Sequence, residues 1–169
     1  MSGRRFRARR RAEYSQHFIR SRALAVELVA LSTINRRDAV VEIGPGRGVL
    51  TRELAQHCKS LLAVEIDASL CEELRDELRD LTNVSLLHDD FLQAVLPLTA
   101  YKVFANIPYN QTAAIIRKLV GAPTPPEDAY LIVQLEAAKR FAGGPYAQET
   151  LASLLLKPWW HVEIARRLR

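Results

Sequence analysis

The chain has 169 residues, 49% of them apolar and 25% charged, long enough for one domain with its own core and too polar to live within a bilayer. Its apolar runs fall far below the roughly 18 residues of a transmembrane helix. The basic N-terminus is not followed by the apolar stretch of a secretory signal, so a cytoplasmic monomer with no membrane partner is expected.

The net charge of +5 sits mostly in residues 1–22, which hold eight arginines and one acid and leave the remainder close to neutral. Residues 1–13 form a basic arm with almost no apolar content, expected to be disordered on its own. Arg4, Arg5, Arg7, Arg9, Arg10 and Arg11 are unbroken by acids until Glu13. Arginines at this density neutralise phosphates and release counterions whatever the base sequence. The arm reads as RNA-binding, with a solubilising tail as the plainer alternative. Residues 14–169 read as one domain. Tyr14-Ser15-Gln16-His17-Phe18-Ile19 is a loop by composition, ahead of an amphipathic helix from Ser21 to Leu31 in which Leu24, Leu28 and Leu31 share a face.

Strand Ala39–Ile43 runs into Gly44-Pro45-Gly46-Arg47-Gly48 and a helix starting near Val49. A strand, glycine loop and helix start recur in nucleotide-binding α/β folds, because glycine permits both the tight turn and close approach of a ligand to main-chain amides. The third glycine comes one residue too early for the dinucleotide pattern, and Glu42 beside the loop would repel a pyrophosphate. A cationic or zwitterionic ligand suits that carboxylate better. The next apolar run, Ser60–Ile66, contains Glu65, nineteen residues after Gly46. An acid at that distance lies at the tip of the second parallel strand and can accept both ribose hydroxyls, while Asp67 can cap the helix Ala68–Arg79. Strand Val84–Leu87 leads to His88-Asp89-Asp90-Phe91, where Asp90 can accept from an adenine amino group and Phe91 cover its ring.

Strand Tyr101–Ala105 ends in Asn106-Ile107-Pro108-Tyr109-Asn110. Pro108 lacks an N–H and pushes Ile107 toward extended backbone with its carbonyl free, and Asn106 adds a side-chain acceptor. Two acceptors converging on one small volume suit an amino group with two hydrogens, and Tyr109 offers a flat face for the base that carries it. The plainer alternative is a Pro turn with Asn106 capping the next helix. Helix Thr112–Val120, strand Ala129–Gln134, helix Glu136–Phe141, a Gly143-Gly144-Pro145 link, a helix near Gln148–Lys157 and a last strand around His161–Arg166 complete the alternation. It implies a doubly wound, largely parallel sheet with ligand sites at the carboxyl ends of its strands. Cys58 and Cys71 read as free, buried thiols, and His17, His57, His88 and His161 are scattered singly, so no metal is expected.

Together these motifs resemble the S-adenosylmethionine-dependent rRNA adenine-N6 methyltransferases, and among them the Erm enzymes, which methylate 23S rRNA and confer macrolide, lincosamide and streptogramin B resistance. The resemblance rests on Glu42 to Thr51, Val64 to Asp67 and Asn106 to Asn110. Ile115-Ile116-Arg117-Lys118 and Tyr130-Leu131-Ile132-Val133 incline it toward Erm over the small-subunit dimethyladenosine transferases. It implies an α/β, Rossmann-like class I methyltransferase fold, S-adenosyl-L-methionine as cofactor and 23S rRNA as partner. By residue, it implies that Gly44, Gly46 and Gly48 contact the methionine part of the cofactor, that Glu65 binds the ribose and Asp90 the adenine amino group, and that Gln16, His17 and Ile19 close over it. Asn106 and the Ile107 carbonyl would hold the target N6, with Tyr109 stacked on the flipped base. Glu42, Ile66, Phe91 and Asn106 are placed with the cofactor contacts, and Pro108 with the catalytic stretch.

The family usually has Gln-Asn-Phe where this chain has Gln16-His17-Phe18. It also continues past the position of Arg169 with a Phe/Tyr-x-Pro-x-Pro segment, a last strand and a small helical RNA-binding domain, so the fold is expected to be truncated at its C-terminal end. Alternative readings are a 16S rRNA dimethyladenosine transferase, a DNA adenine methyltransferase, and a non-catalytic RNA-binding module that keeps the fold. A nicotinamide-dependent dehydrogenase is disfavoured by the glycine spacing and Glu42.

Overall fold

The computed structural model describes residues 19–108 and 110–168, so the arginine arm, Gln16, His17 and Tyr109 lie outside the described residues. Contacts divide the chain into two compact units that meet in sequence between Ile132 and Val133.

The first unit is built on five parallel strands, β1 (Ala39–Ile43), β2 (Ser60–Glu65), β3 (Val84–His88), β4 (Lys102–Asn106) and β5 (Ala129–Ile132), in the order β3-β2-β1-β4-β5. Helix α1 (Arg22–Ala30) precedes β1, α2 (Val49–His57) links β1 to β2, α3 (Ala68–Glu77) links β2 to β3, and α4 (Thr112–Val120) links β4 to β5. The central strands are buried almost end to end, as continuous apolar runs in a doubly covered parallel sheet should be, whereas the outer strands β3 and β5 are only half-buried. One core cluster joins Ala25, Leu28 and Val29 of α1 and Leu50, Leu54 and Ala55 of α2 to Val40, Leu61 and Phe104 of three adjacent strands. Each large aliphatic side chain buried there stabilises the fold by about 1.5–3 kcal/mol.

The strand order decides where the site lies. From β1 the chain works outward through β2 to β3, then returns to place β4 on the other side of β1. A reversal of this kind opens a crevice between the carboxyl ends of the two strands. The register sets Ile43 beside Ala105, so the loop that begins at Gly44 and the turn that begins after Asn106 leave the sheet side by side.

At the opposite end of the same strands, Lys102 Nζ lies 3.0 Å from Asp38 and 3.6 Å from Asp128, and donates to Thr33 Oγ1 at 2.8 Å and to the Thr33 carbonyl at 3.0 Å. The Tyr130 hydroxyl lies 2.9 Å from Thr33 Oγ1 and accepts from Thr33 N, while its ring stacks on Phe104 with centroids 5.6 Å apart. Burial pulls the Lys102 ammonium downward, but Asp38, Asp128 and Tyr130 together outweigh it and the net shift is upward.

The second unit contains α5 (Leu135–Ala142) and α6 (Leu151–Leu156). Glu149, between them, accepts from Gly144 N and Ser153 Oγ and pairs with Lys157. Strand Ala129–Gln134 stops at Ile132, and Gln134 instead becomes the N-cap of α5. The helix expected over Gln148–Lys157 starts only at Leu151, because Thr150 takes the cap and forms a capping box with Ser153. The strand expected over His161–Arg166 is not formed, and residues 160–168 have no regular element. A strand exists only where a neighbour completes its ladder, and among the described residues none pairs with this segment. Cys58 and Cys71 are free and buried. Among the described residues no helix is long and apolar enough to cross a membrane, and no group of side chains is arranged to hold a metal.

Candidate active site

The glycine loop follows from three backbone angles. Gly44, Gly46 and Gly48 have φ of 69°, 59° and 73°, a left-handed conformation that costs other residues about 1–2 kcal/mol. Three such residues at alternate positions coil the chain tightly between β1 and α2, which is why the spacing is shorter than that of a dinucleotide loop. The outer two glycines differ in what surrounds them. A Cβ on Gly48 would stand 2.8 Å from Leu74 Cδ2 of α3, whereas a Cβ on Gly44 would meet nothing within 4 Å. Gly48 lets α3 close on the loop, and Gly44 leaves a side open to a ligand.

Two carboxyls lie under this loop. Glu65, 1% exposed, accepts from Gly46 N at 3.2 Å through Oε2 and from Asp67 N at 3.0 Å through Oε1. Each oxygen keeps a second lone pair. Burial pushes its pKa up, against the opposing pull of those N–H groups. Glu42, also 1% exposed, has less support: Oε2 lacks a hydrogen-bond partner. Burial raises its pKa from 4.5 to about 8, the Thr51 hydroxyl on α2 works against that shift, and Glu65 adds to it by repulsion. Thr51 Oγ1 nonetheless completes no hydrogen bond of normal geometry. Thr51 is the residue to which the sequence reading gave no role. A polar side chain one helical turn beyond the last loop glycine, on the same helix face as Leu54 and Ala55, is the signal that could have marked it.

The tips of β2 and β3 complete this side. Asp67 caps α3 by accepting from Ser69 N at 2.9 Å and Leu70 N at 3.3 Å, a contact worth about 1 kcal/mol. Ile66 is 55% exposed. Asp90 Oδ1 caps the turn that follows by accepting from Leu92 N at 2.9 Å, so it has a local role besides any ligand. Phe91 is 5% exposed with the Lys118 ammonium 5.3 Å from its ring centroid, and at least one of its faces therefore belongs to the protein. Ile19 packs partly against the core cluster.

Across the crevice, Asn106 is the last residue of β4. Ile107, 3% exposed, donates its N–H to Ile132 O at 3.0 Å, and among the described residues no donor reaches its carbonyl. Pro108 accepts from Gln111 N at 3.0 Å. Gln111 is the N-cap of α4, so Asn106 does not occupy the capping position of that helix. The structure thus brings Glu42, Gly44, Gly46, Gly48, Glu65 and Asn106 to the carboxyl ends of three adjacent strands, with Ile66 and Asp90 at the tips of β2 and β3.

A five-stranded parallel sheet in this order, with a glycine loop after β1 and an acid at the tip of β2, is the class I S-adenosylmethionine-dependent methyltransferase fold. It superposes on the 23S rRNA methyltransferase ErmE with a TM-score of 0.78 and 32% identity, covering 84% of this chain and 57% of that one. On a dimethyladenosine transferase from Plasmodium falciparum the TM-score is 0.68 with 27% identity, over 74% of this chain and 46% of the other. Residues 7–165 match the ribosomal RNA adenine dimethylase family, and the chain belongs to it. Among curated relatives, the ribosomal RNA small subunit methyltransferase A of Acaryochloris marina is 42% identical over 81% of this chain and 55% of its own length. The rRNA adenine N-6-methyltransferase of Saccharopolyspora erythraea is 35% identical over 98% of this chain and 44% of its own. The chain thus spans about half the length of the relatives it matches.

Proposed function

We propose that the chain is an rRNA adenine-N6 methyltransferase of the Erm type, acting on 23S rRNA with S-adenosyl-L-methionine as methyl donor, and that in a susceptible bacterium it gives macrolide, lincosamide and streptogramin B resistance. The observation behind this reading is the side-by-side exit of two motifs at the switch point, the left-handed glycine loop after β1 and Asn106-Ile107-Pro108 after β4. Residues 14–169 would be the catalytic part and residues 1–13 an arm for RNA phosphates.

The residues present fit the cofactor. Gly44 leaves open space beside main-chain amides, and Glu42 keeps an unpartnered carboxyl oxygen under the loop for a cationic group. Glu65 retains lone pairs for hydroxyls, and Asp90 stands at the next strand tip for an amino group. When bound, S-adenosylmethionine supplies an electrophilic methyl group. The chain's own task is to present a poor nucleophile, because the lone pair of an adenine amino group is delocalised into the ring. The Asn106 side-chain oxygen and the Ile107 carbonyl accept its two N–H bonds, which favours a pyramidal nitrogen with a directed lone pair. Tyr109 is assigned the face on which the base stacks, and Gln16 and His17 the closure over the cofactor. Positioning of this kind needs no strong general base.

The Erm assignment is supported by the alignment that includes the basic arm and by the higher structural similarity to ErmE. The second reading, a 16S dimethyladenosine transferase, is supported by the higher identity of the small-subunit relatives. Methyl transfer to 23S and 16S rRNA fragments tests both: transfer to 23S alone is expected, and transfer to 16S alone overturns the Erm assignment. Asn106→Ala should lower the rate roughly 100-fold or more while the protein stays folded and binds cofactor. A near-parental rate in that variant would remove the amine pocket.

A further inference from the structure

Glu42 is buried, and among the described residues none offers a cation to its carboxyl, whose Oε2 has no hydrogen-bond partner. Its neighbours in register are Ala63 on β2 and Phe104 on β4, neither of which ionises. The ionisable group facing it from β2 is Glu65, of the same sign. Helix α2 presents the hydroxyl of Thr51 and is C-capped by Cys58, whose thiol is pushed up mainly by burial, with Asp38 and Glu42 adding to it. Arg47, the one charged residue of the loop, is exposed. Ionising a carboxyl in such a place is strongly disfavoured unless a cation arrives.

We propose that Glu42 is a proton-linked counter-ion: it is a neutral acid in the ligand-free protein and gives its proton to solvent when an ammonium-bearing ligand occupies the Gly44–Gly48 loop. The inference rests on the cofactor reading above. In the exchange the carboxyl O–H bond breaks, the proton passes to water or buffer base, and the carboxylate left behind is matched by the ligand's ammonium. Charge is therefore buried only in pairs. The direction of the pKa of Glu42, upward to about 8, agrees with this arrangement and sets its range. Affinity should rise with pH up to about 8, by at most tenfold per unit, and then level off.

Calorimetry of S-adenosylhomocysteine binding to the full chain, in buffers of different ionisation enthalpy, reads the proton directly. At pH 7, below the raised pKa of Glu42, binding should release most of a proton per ligand, and the release should fall away above pH 8. Adenosine, which lacks the amino-acid part, should release none, and neither should the Glu42→Gln variant with S-adenosylhomocysteine. The pH series and the adenosine control use the parent chain, so they decide the matter even if the variant does not fold. Binding of S-adenosylhomocysteine without buffer-dependent heat, or with equal proton release from Glu42→Gln, overturns the inference and leaves the cofactor reading standing. Absence of any binding overturns both.

Discussion

At the amino ends of β1, β4 and β5 one cation, Lys102, is buried against Asp38 and Asp128 with Thr33 filling its remaining donors. At the carboxyl ends of β1 and β2 two carboxyls, Glu42 and Glu65, are buried close enough to repel each other. Both ends desolvate charge, so burial alone does not distinguish them. What differs is the sign of the neighbours. The amino end matches its cation with two carboxylates, while at the carboxyl end burial and Glu65 hold Glu42 toward its neutral form. The carboxyls without a cation lie at the end where the strand order opens a crevice, the place where ligands bind in sheets of this kind.

The largest expected break in that contrast is Lys102→Met. It leaves Asp38 and Asp128 without their cation and should cost about 3 kcal/mol or more, read by urea denaturation, with S-adenosylhomocysteine affinity within twofold of the parent. A loss below about 0.5 kcal/mol would place this cluster among ordinary surface pairs.

Glu42→Gln should act in the opposite direction. Because the folded-state pKa is raised from 4.5 to about 8, the stability linked to this group is fully present below about pH 4.5 and is lost as pH rises through 8. The parent should therefore lose stability over that window by an amount on the order of a few kcal/mol. The variant should lack this component and be the more stable of the two above pH 8. Identical pH–stability curves would show that Glu42 is ionised without strain.

The two outer loop glycines sharpen the comparison within the carboxyl end. Gly48→Ala combines a left-handed φ with a Cβ 2.8 Å from Leu74, and should cost about 2–3 kcal/mol of stability. Gly44→Ala meets only open space, so the backbone cost of about 1 kcal/mol remains, and its main effect should fall on cofactor affinity. Equal effects of the two substitutions on both measurements would deny the separate roles.

Local chemistry explains how much could be read in advance. Glycine at three alternate positions, an acid nineteen residues after Gly46, an aspartate ahead of a helix and a proline ending a strand each act on backbone within a few residues. The loop, the tip of β2, the Asp67 cap and the exit at Asn106 were legible for that reason. The strand expected over His161–Arg166 was not, because a strand is a property of a pair and the sequence names only one member.

From its residues alone this protein determined its alternation of strands and helices, its glycine loop and the motifs at its strand ends, because these depend on side-chain period, on φ and on missing donors. The tertiary structure alone decided which polar groups meet. Lys102 finds Asp38, Thr33 and Asp128, Lys118 covers Phe91, and Glu42 is shut in with Thr51 and Glu65 because the order β3-β2-β1-β4-β5 brings distant segments together. Pairing across a sheet is set by how the crossovers return the chain, and no local period encodes that.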